Sequence, residues 1–248
     1  MYFGDPAHLK QEWPRIKETL NLLLTRCDNS GFLNPGQKEF GQNWLFIDWV
    51  DQEKWTSLQI LWWWTQQCRY QLAKRAGDTQ TADRWQNDSK TLKTNLIKKA
   101  WNNNKKVWLG NPEFPDRMSR HANFLAIVSG LATKDQFAGV RKMLATDEIS
   151  SVGTPYMAGF ENMALARLGD VQYMLNRVKD YWGGMLGQGA TTFWEAYNPN
   201  QQGKEKYSFY GRPYAKSLCH AWSAGPAAFL PSEIFGLLPL KTDGDVFQ

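Results

Sequence analysis

Apolar side chains recur at spacings of three and four along most of the chain, and the stripes they form are of two kinds. Over residues 8–27 they fall at Leu9, Trp13, Ile16, Leu20, Leu23, Leu24 and Cys27, on one face of a helix. Pro14 stands near its start, and Asp28-Asn29-Ser30-Gly31 stops it. Residues 54–75 carry a wide apolar arc (Trp55, Leu58, Leu61, Trp62, Trp63, Cys68, Leu72), and 80–101 a narrow one (Trp85, Leu92, Leu96, Ile97, Ala100). Residues 119–131 are apolar almost all round, 134–145 have a narrow stripe, 155–168 are broadly apolar, and 170–182 are narrow again. A last apolar helix is expected near 217–237. A narrow stripe leaves one wet face, whereas a helix apolar all round is covered on both sides. The alternation predicts outer helices wrapped round inner ones, a double ring of hairpins with about four helices of each kind. A closed toroid of six hairpins needs six of each, so an incomplete ring is expected. An irregular helical bundle is the plainer reading. Strand signals are confined to Lys106-Val107-Trp108-Leu109.

The 248 residues suit one domain spanning 1–248. The longest apolar runs, Leu61–Trp64 and Phe124–Val128, fall far short of the ~20 residues of a membrane span, so no membrane partner is expected. The net charge of +5 is scattered, and Lys98, Lys99, Lys105 and Lys106 are its nearest approach to a cluster. That is too thin for a nucleic-acid stripe. Three Cys (Cys27, Cys68, Cys219) and three His (His8, His121, His220) give neither a disulfide framework nor a metal-ligand spacing. No metal and no cofactor is expected, and Cys27 and Cys68 are expected to be buried thiols. Met1–Pro6 lacks a basic region and an apolar region, so no signal peptide is read there; the compartment stays open.

Tryptophan is the outlier, with thirteen residues. Of Trp62, Trp63 and Trp64, at least two are expected in the core. Trp44, Trp49, Trp182, Trp194 and Trp222 fall at helix ends or in loops, where rigid aromatic faces suit the stacking of sugar rings. Three stretches join such aromatics to polar groups. In Tyr181–Tyr197, four Gly in seven positions (183, 184, 187, 189) precede Thr191-Thr192-Phe193-Trp194-Glu195. A carboxylate against an indole is partly desolvated, which suits proton transfer. Equally, Thr192 with Glu195 three residues on is the pattern of a capping box. In Ser217–Pro226, His220 and Trp222 stand before a Gly-Pro break. In Phe46–Glu53, Asp48 and Asp51 could bond sugar hydroxyls, cap a helix, or bind magnesium as an Asp-x-x-Asp pair of the terpenoid-synthase kind. The last usually has a richer acidic motif.

Gly187-Gln188-Gly189-Ala190-Thr191-Thr192-Phe193-Trp194-Glu195 followed by Ser217-Leu218-Cys219-His220-Ala221-Trp222-Ser223 resembles the alpha-L-rhamnosidase family, glycoside hydrolase family 78 and its six-hairpin relatives. Phe46-Ile47-Asp48-Trp49 is similar to that family's Phe-Gly-Asp-Trp segment, with Ile47 in place of Gly. Gly153-Thr154-Pro155-Tyr156 and Tyr181-Trp182-Gly183-Gly184-Met185 also match, in the family's order. The resemblance spans about residues 2–238 and implies an all-α (α/α)6 toroid that hydrolyses glycosides with inversion and without metal. It makes Glu195 the general base and Asp48, Trp49, Trp182, Trp194, His220 and Trp222 sugar-binding residues. The substrate implied is a terminal alpha-L-rhamnoside of an oligosaccharide or other glycoside. The family's general acid lies in an Asp/Glu/Arg-rich segment ahead of Phe-Gly-Asp-Trp, and no such segment is found here. The domain therefore reads as N-terminally truncated relative to the family: a fragment, one half of a partnership, or a degenerate relative. Asp51, Glu53 or Glu161 could substitute as acid. The other function weighed is a non-catalytic carbohydrate-binding or scaffold protein of the same fold. An open ring would expose inner apolar faces and favour self-association.

Overall fold

The structure, a computed structural model, describes residues 6–34, 46–49, 54–146 and 152–238. Eight α-helices carry it: α1 (Pro6–Leu24), α2 (Trp55–Ala76), α3 (Thr79–Ala100), α4 (Arg120–Val128), α5 (Phe137–Leu144), α6 (Pro155–Arg167), α7 (Val171–Gly187) and α8 (Gly225–Phe229). The two strands β1 (Trp101–Asn102) and β2 (Val107–Trp108) pair antiparallel as a small hairpin between α3 and α4.

The two kinds of stripe become two layers. All nine residues of α4 are buried, and most of α6 is, whereas α3, α5 and α7 bury one face each. The covered helices follow one another round the inside: α2 packs on α4, α4 on α6 and α6 on α8. The outer helices lie against them, α1 and α3 on α2, α5 on α4 and α7 on α6. This is an all-α toroid of helical hairpins, with four outer and four inner helices among the described residues.

Inner helices start sharply. Ser119 accepts a hydrogen bond from the Ala122 backbone N–H at the start of α4, and Thr154 from that of Met157 at the start of α6, where Pro155 opens the first turn. These caps satisfy donors that burial would otherwise leave unpaired. The main core joins the inner helices to Phe32, Ile47 and Trp108. Trp62 and Trp63 are in it, and Trp64 packs partly buried against it.

The structure corrects several expectations. Cys68 is exposed, because the inward arc of α2 runs through Thr56, Gln59, Gln66 and Arg69 as well as its apolar residues; Cys27, past the end of α1, is only half-buried. α7 does not stop at Gly183 but runs to Gly187. Gly184 admits a ring there: a Cβ on it would lie 2.3 Å from Tyr197. The final helix is broken into a 3-10 turn (Ala221–Ser223), α8 and a π-helical turn (Leu230–Ile234), since Pro226 and Pro231 cannot donate to a helical ladder. Trp44, Asp51 and Glu53 lie outside the described residues.

Candidate active site

The connections that precede the inner helices meet at one end of the ring. Asp48, ahead of α2, ties three of them together. Its Oδ2 lies 2.6 Å from Nε2 of His121 in the first turn of α4 and accepts from the Gly153 backbone N–H, ahead of α6, at 2.9 Å. Its Oδ1 accepts from the Trp49 backbone N–H at 2.7 Å. Asp48 is 1% exposed. It is the knot under the site, and Trp49, its neighbour, projects outward at 45% exposure.

The long connection from 188 to 224, ahead of α8, supplies the rest. Residues 192–195 form no helix or strand and lie along 217–220: the Glu195 N–H donates to Ser217 O at 2.8 Å and the His220 N–H to Phe193 O at 2.8 Å. The Thr192 hydroxyl donates to Leu218 O. No helix begins at Thr192, so the capping-box reading of Thr192 and Glu195 is overturned; tertiary pairing takes the backbone that a helix would have used. Tyr181, on α7, accepts from the Tyr197 N–H at 3.1 Å and directs the chain just past Glu195. Burial pushes the Tyr181 phenol up to about 12, so it stays protonated.

Glu195 is 5% exposed. Its Oε2 accepts from the Ser217 backbone N–H at 3.0 Å and its Oε1 from the Tyr210 hydroxyl at 2.8 Å. The Trp222 indole N–H donates to the Glu195 carbonyl at 2.9 Å. His220 leans on Trp222 with ring centroids 4.6 Å apart. Phe46 stacks on the other side of Trp222 and meets Trp49 edge-on, and Trp49 meets Tyr210 at 5.9 Å. Glu195, Trp49, His220 and Trp222 are thus brought into one aromatic cleft. Trp194 and Trp182 are not among these rings. Both are buried in a separate cluster with Ala158, Met185 and Ala190, and the Trp182 indole N–H donates to Ser223 O at 2.8 Å.

Two neighbours of Glu195 have no counterpart in the sequence reading. Lys216 is buried, its ammonium bonded to Gln201 Oε1 at 3.1 Å and lying over the Trp194 ring. Burial pushes its pKa down, and the Glu195 charge opposes that. Nothing periodic announces it. Tyr210 reaches Glu195 from the tip of a two-residue hairpin, for which Tyr210-Gly211 is only a weak local signal. Glu161, by contrast, is taken out of contention as the acid. It is fully buried between Arg120, at 2.8 Å, and Arg177.

Among the described residues no three His, Cys, Asp or Glu side chains are placed to share a metal ion, and no described helix is long and apolar enough to cross a membrane. The cleft presents a carboxylate held by two donors beside open aromatic faces, an arrangement that can take a proton from water next to a stacked ring.

Comparison with known proteins identifies relatives of the whole fold. The model of the bacterial alpha-L-rhamnosidase 6 hairpin glycosidase domain matches residues 1–234. Two solved structures are similar. A rhamnosidase from Klebsiella oxytoca with rhamnose bound superposes with a TM-score of 0.77 at 26% identity, over 94% of this chain and 44% of that one. A GH78 family rhamnosidase of Bacillus sp. GL1 gives 0.77 and 26% over 96% of this chain and 25% of that one. The chain therefore spans less than half the length of either. No curated protein matches. With nearly its whole length matched by one family model, the chain belongs to the bacterial alpha-L-rhamnosidase six-hairpin glycosidase domain family.

Proposed function

We propose that this domain hydrolyses terminal alpha-L-rhamnosides with inversion, Glu195 acting as general base. The observation that carries the reading is the placement of Glu195: nearly buried, both oxygens held by donors, facing an aromatic cleft at the N-terminal ends of the inner helices. Each carboxylate oxygen has two lone pairs, so Oε1 can accept from a water while it accepts from Tyr210. The deprotonated water attacks the anomeric carbon from the face opposite the leaving group. The sugar stacks against Trp49 and Trp222, and His220 bonds its hydroxyls.

An inverting glycosidase also needs a carboxylic acid roughly 6.5–9.5 Å from the base to protonate the departing oxygen. Asp48 is occupied by His121 and the Gly153 backbone, and Glu161 by Arg120 and Arg177, so the acid is sought outside the described residues, Asp51 and Glu53 included, or on a further part of the protein. A p-nitrophenolate leaves without protonation, so p-nitrophenyl alpha-L-rhamnoside tests the base by itself. Release of nitrophenol that falls at least a hundredfold in Glu195→Gln, in the range that general-base removal gives, supports the reading. Rhamnose binding by calorimetry with no release supports the sugar-binding module instead, a reading favoured by the occupied state of Asp48 and Glu161. Neither binding nor release removes both.

A further inference from the structure

Tyr210 sits where a tyrosine is least at ease. Phe209 and Arg212 exchange both backbone hydrogen bonds, at 3.0 and 2.9 Å, leaving Tyr210 and Gly211 as a two-residue turn. Both have positive φ, 51° and 69°, the signature of a type I′ turn. Gly, Asn and Asp are the usual first residues of such a turn, and a bulky side chain there is a backbone outlier. Burial does not explain the choice, because Tyr210 is 60% exposed. What its side chain does gain is specific. Its hydroxyl donates to Glu195 Oε1 at 2.8 Å, and its ring meets Trp49 at 5.9 Å and Phe209 at 4.2 Å.

We propose that Tyr210 is a positioning residue for the Glu195 carboxylate, held by a strained hairpin so that its hydroxyl orients Oε1 while its ring sets the angle of Trp49. The inference rests on the general-base reading of Glu195 and deepens it. With the Ser217 N–H on Oε2, two donors from two segments fix the plane of the carboxylate. A donor to the charged form favours that form. Partial desolvation, then the hydrogen bond to Glu195 and the Glu195 charge, push the Tyr210 phenol upward, so the proton stays on tyrosine. The other titratable groups around Glu195 among the described residues are Lys216, behind it, and His220, beyond Trp222. The Asp48–His121 pair under Trp49 is buried.

The test is Tyr210→Phe, which removes one oxygen and keeps the ring, beside Tyr210→Ala, which removes both. With the nitrophenyl rhamnoside, Tyr210→Phe is expected to lower kcat about tenfold, the scale of one charge-assisted hydrogen bond, with KM within about twofold. Tyr210→Ala is expected to raise KM as well, because Trp49 loses its wall. In 13C spectra, the Glu195 carboxyl resonance, assigned by its loss in Glu195→Gln, should titrate at higher pH in Tyr210→Phe than in the wild type. On the wild-type protein alone, the Tyr210 ring carbon bearing oxygen should follow the same midpoint. Unchanged kcat with an unchanged Glu195 midpoint overturns the proposal. So does a Tyr210 carbon that ignores the Glu195 titration, a reading that needs no variant to fold. If the protein releases no nitrophenol while the two resonances stay linked, the general-base reading fails and the hold of Tyr210 on Glu195 stands.

Discussion

Glu161 and Glu195 are both carboxylates withdrawn from water, and their surroundings differ in kind. Glu161 stands mid-helix on α6 between two guanidiniums, one from α4 and one from α7. Arg120 in turn donates to the carbonyls of Thr146 and Leu144. Glu195 stands in a loop, and its carboxylate is held by a backbone N–H and a phenol, with one ammonium nearby. The first arrangement neutralises the carboxylate on both sides and leaves it nothing to do but hold three elements together. The second fixes orientation with neutral donors, one on each oxygen. Burial by itself does not distinguish the two carboxylates; the charge of their partners does.

The contrast can be broken from either end. Glu195→Gln should remove at least a hundredfold of activity while the melting temperature moves by only roughly a degree or two, since one oxygen still accepts. Glu161→Gln should do the reverse. It leaves the buried Arg120 and the half-buried Arg177 without a counter-charge, which costs about 3–5 kcal/mol. At about 2–4 °C per kcal/mol for a domain of this size, calorimetry should show a fall on the order of 10 °C. Equal losses of stability in the two variants would erase the distinction.

Asp48→Asn sharpens it at a third carboxylate. An amide turned toward Gly153, Trp49 or His121 leaves a buried donor unmatched, at about 1–3 kcal/mol, and loosens Trp49, so both stability and KM should suffer. Full stability with lost sugar binding would instead put Asp48 in direct contact with the substrate.

The smallest effect is expected at Lys216. Its folded pKa lies below the ordinary 10.5 because burial disfavours the charged form. The charged side chain therefore weakens the fold at neutral pH, and that penalty is relieved as pH rises from the folded value toward 10.5. Lys216→Met should melt no lower than the wild type near pH 7 and should lose the alkaline gain. The acid limb of its activity profile should move upward, because Glu195 loses a neighbouring cation. A drop in stability like that of Glu161→Gln would make Lys216 and Glu195 a structural ion pair.

The helices were legible because their signal is local. Side chains three and four apart share a face, so the stripes at Trp85, Leu92 and Leu96 or at Phe124, Leu125 and Val128 announce burial without knowledge of any partner. The same logic failed at Cys68, where buried polar residues of α2 shift the inward arc. It failed again at residues 217–220, where pairing with 192–195 replaces a helix. Within the site, Glu195, Trp49, His220 and Trp222 were marked by their short motifs. Trp182 and Trp194 were marked too, but as open faces, and the fold buries both.

By itself the chain's order of residues determined the alternation of covered and wet helices and singled out Glu195, because periodicity and motif are properties of neighbours in sequence. Only the tertiary structure decided what each carboxylate would do. Tyr210 and Ser217 come to Glu195 from 15 and 22 residues away, and Arg120 comes to Glu161 from 41. Ionisation and orientation depend on charges and donors within a few ångströms, and chain closure, not local pattern, brings those groups there.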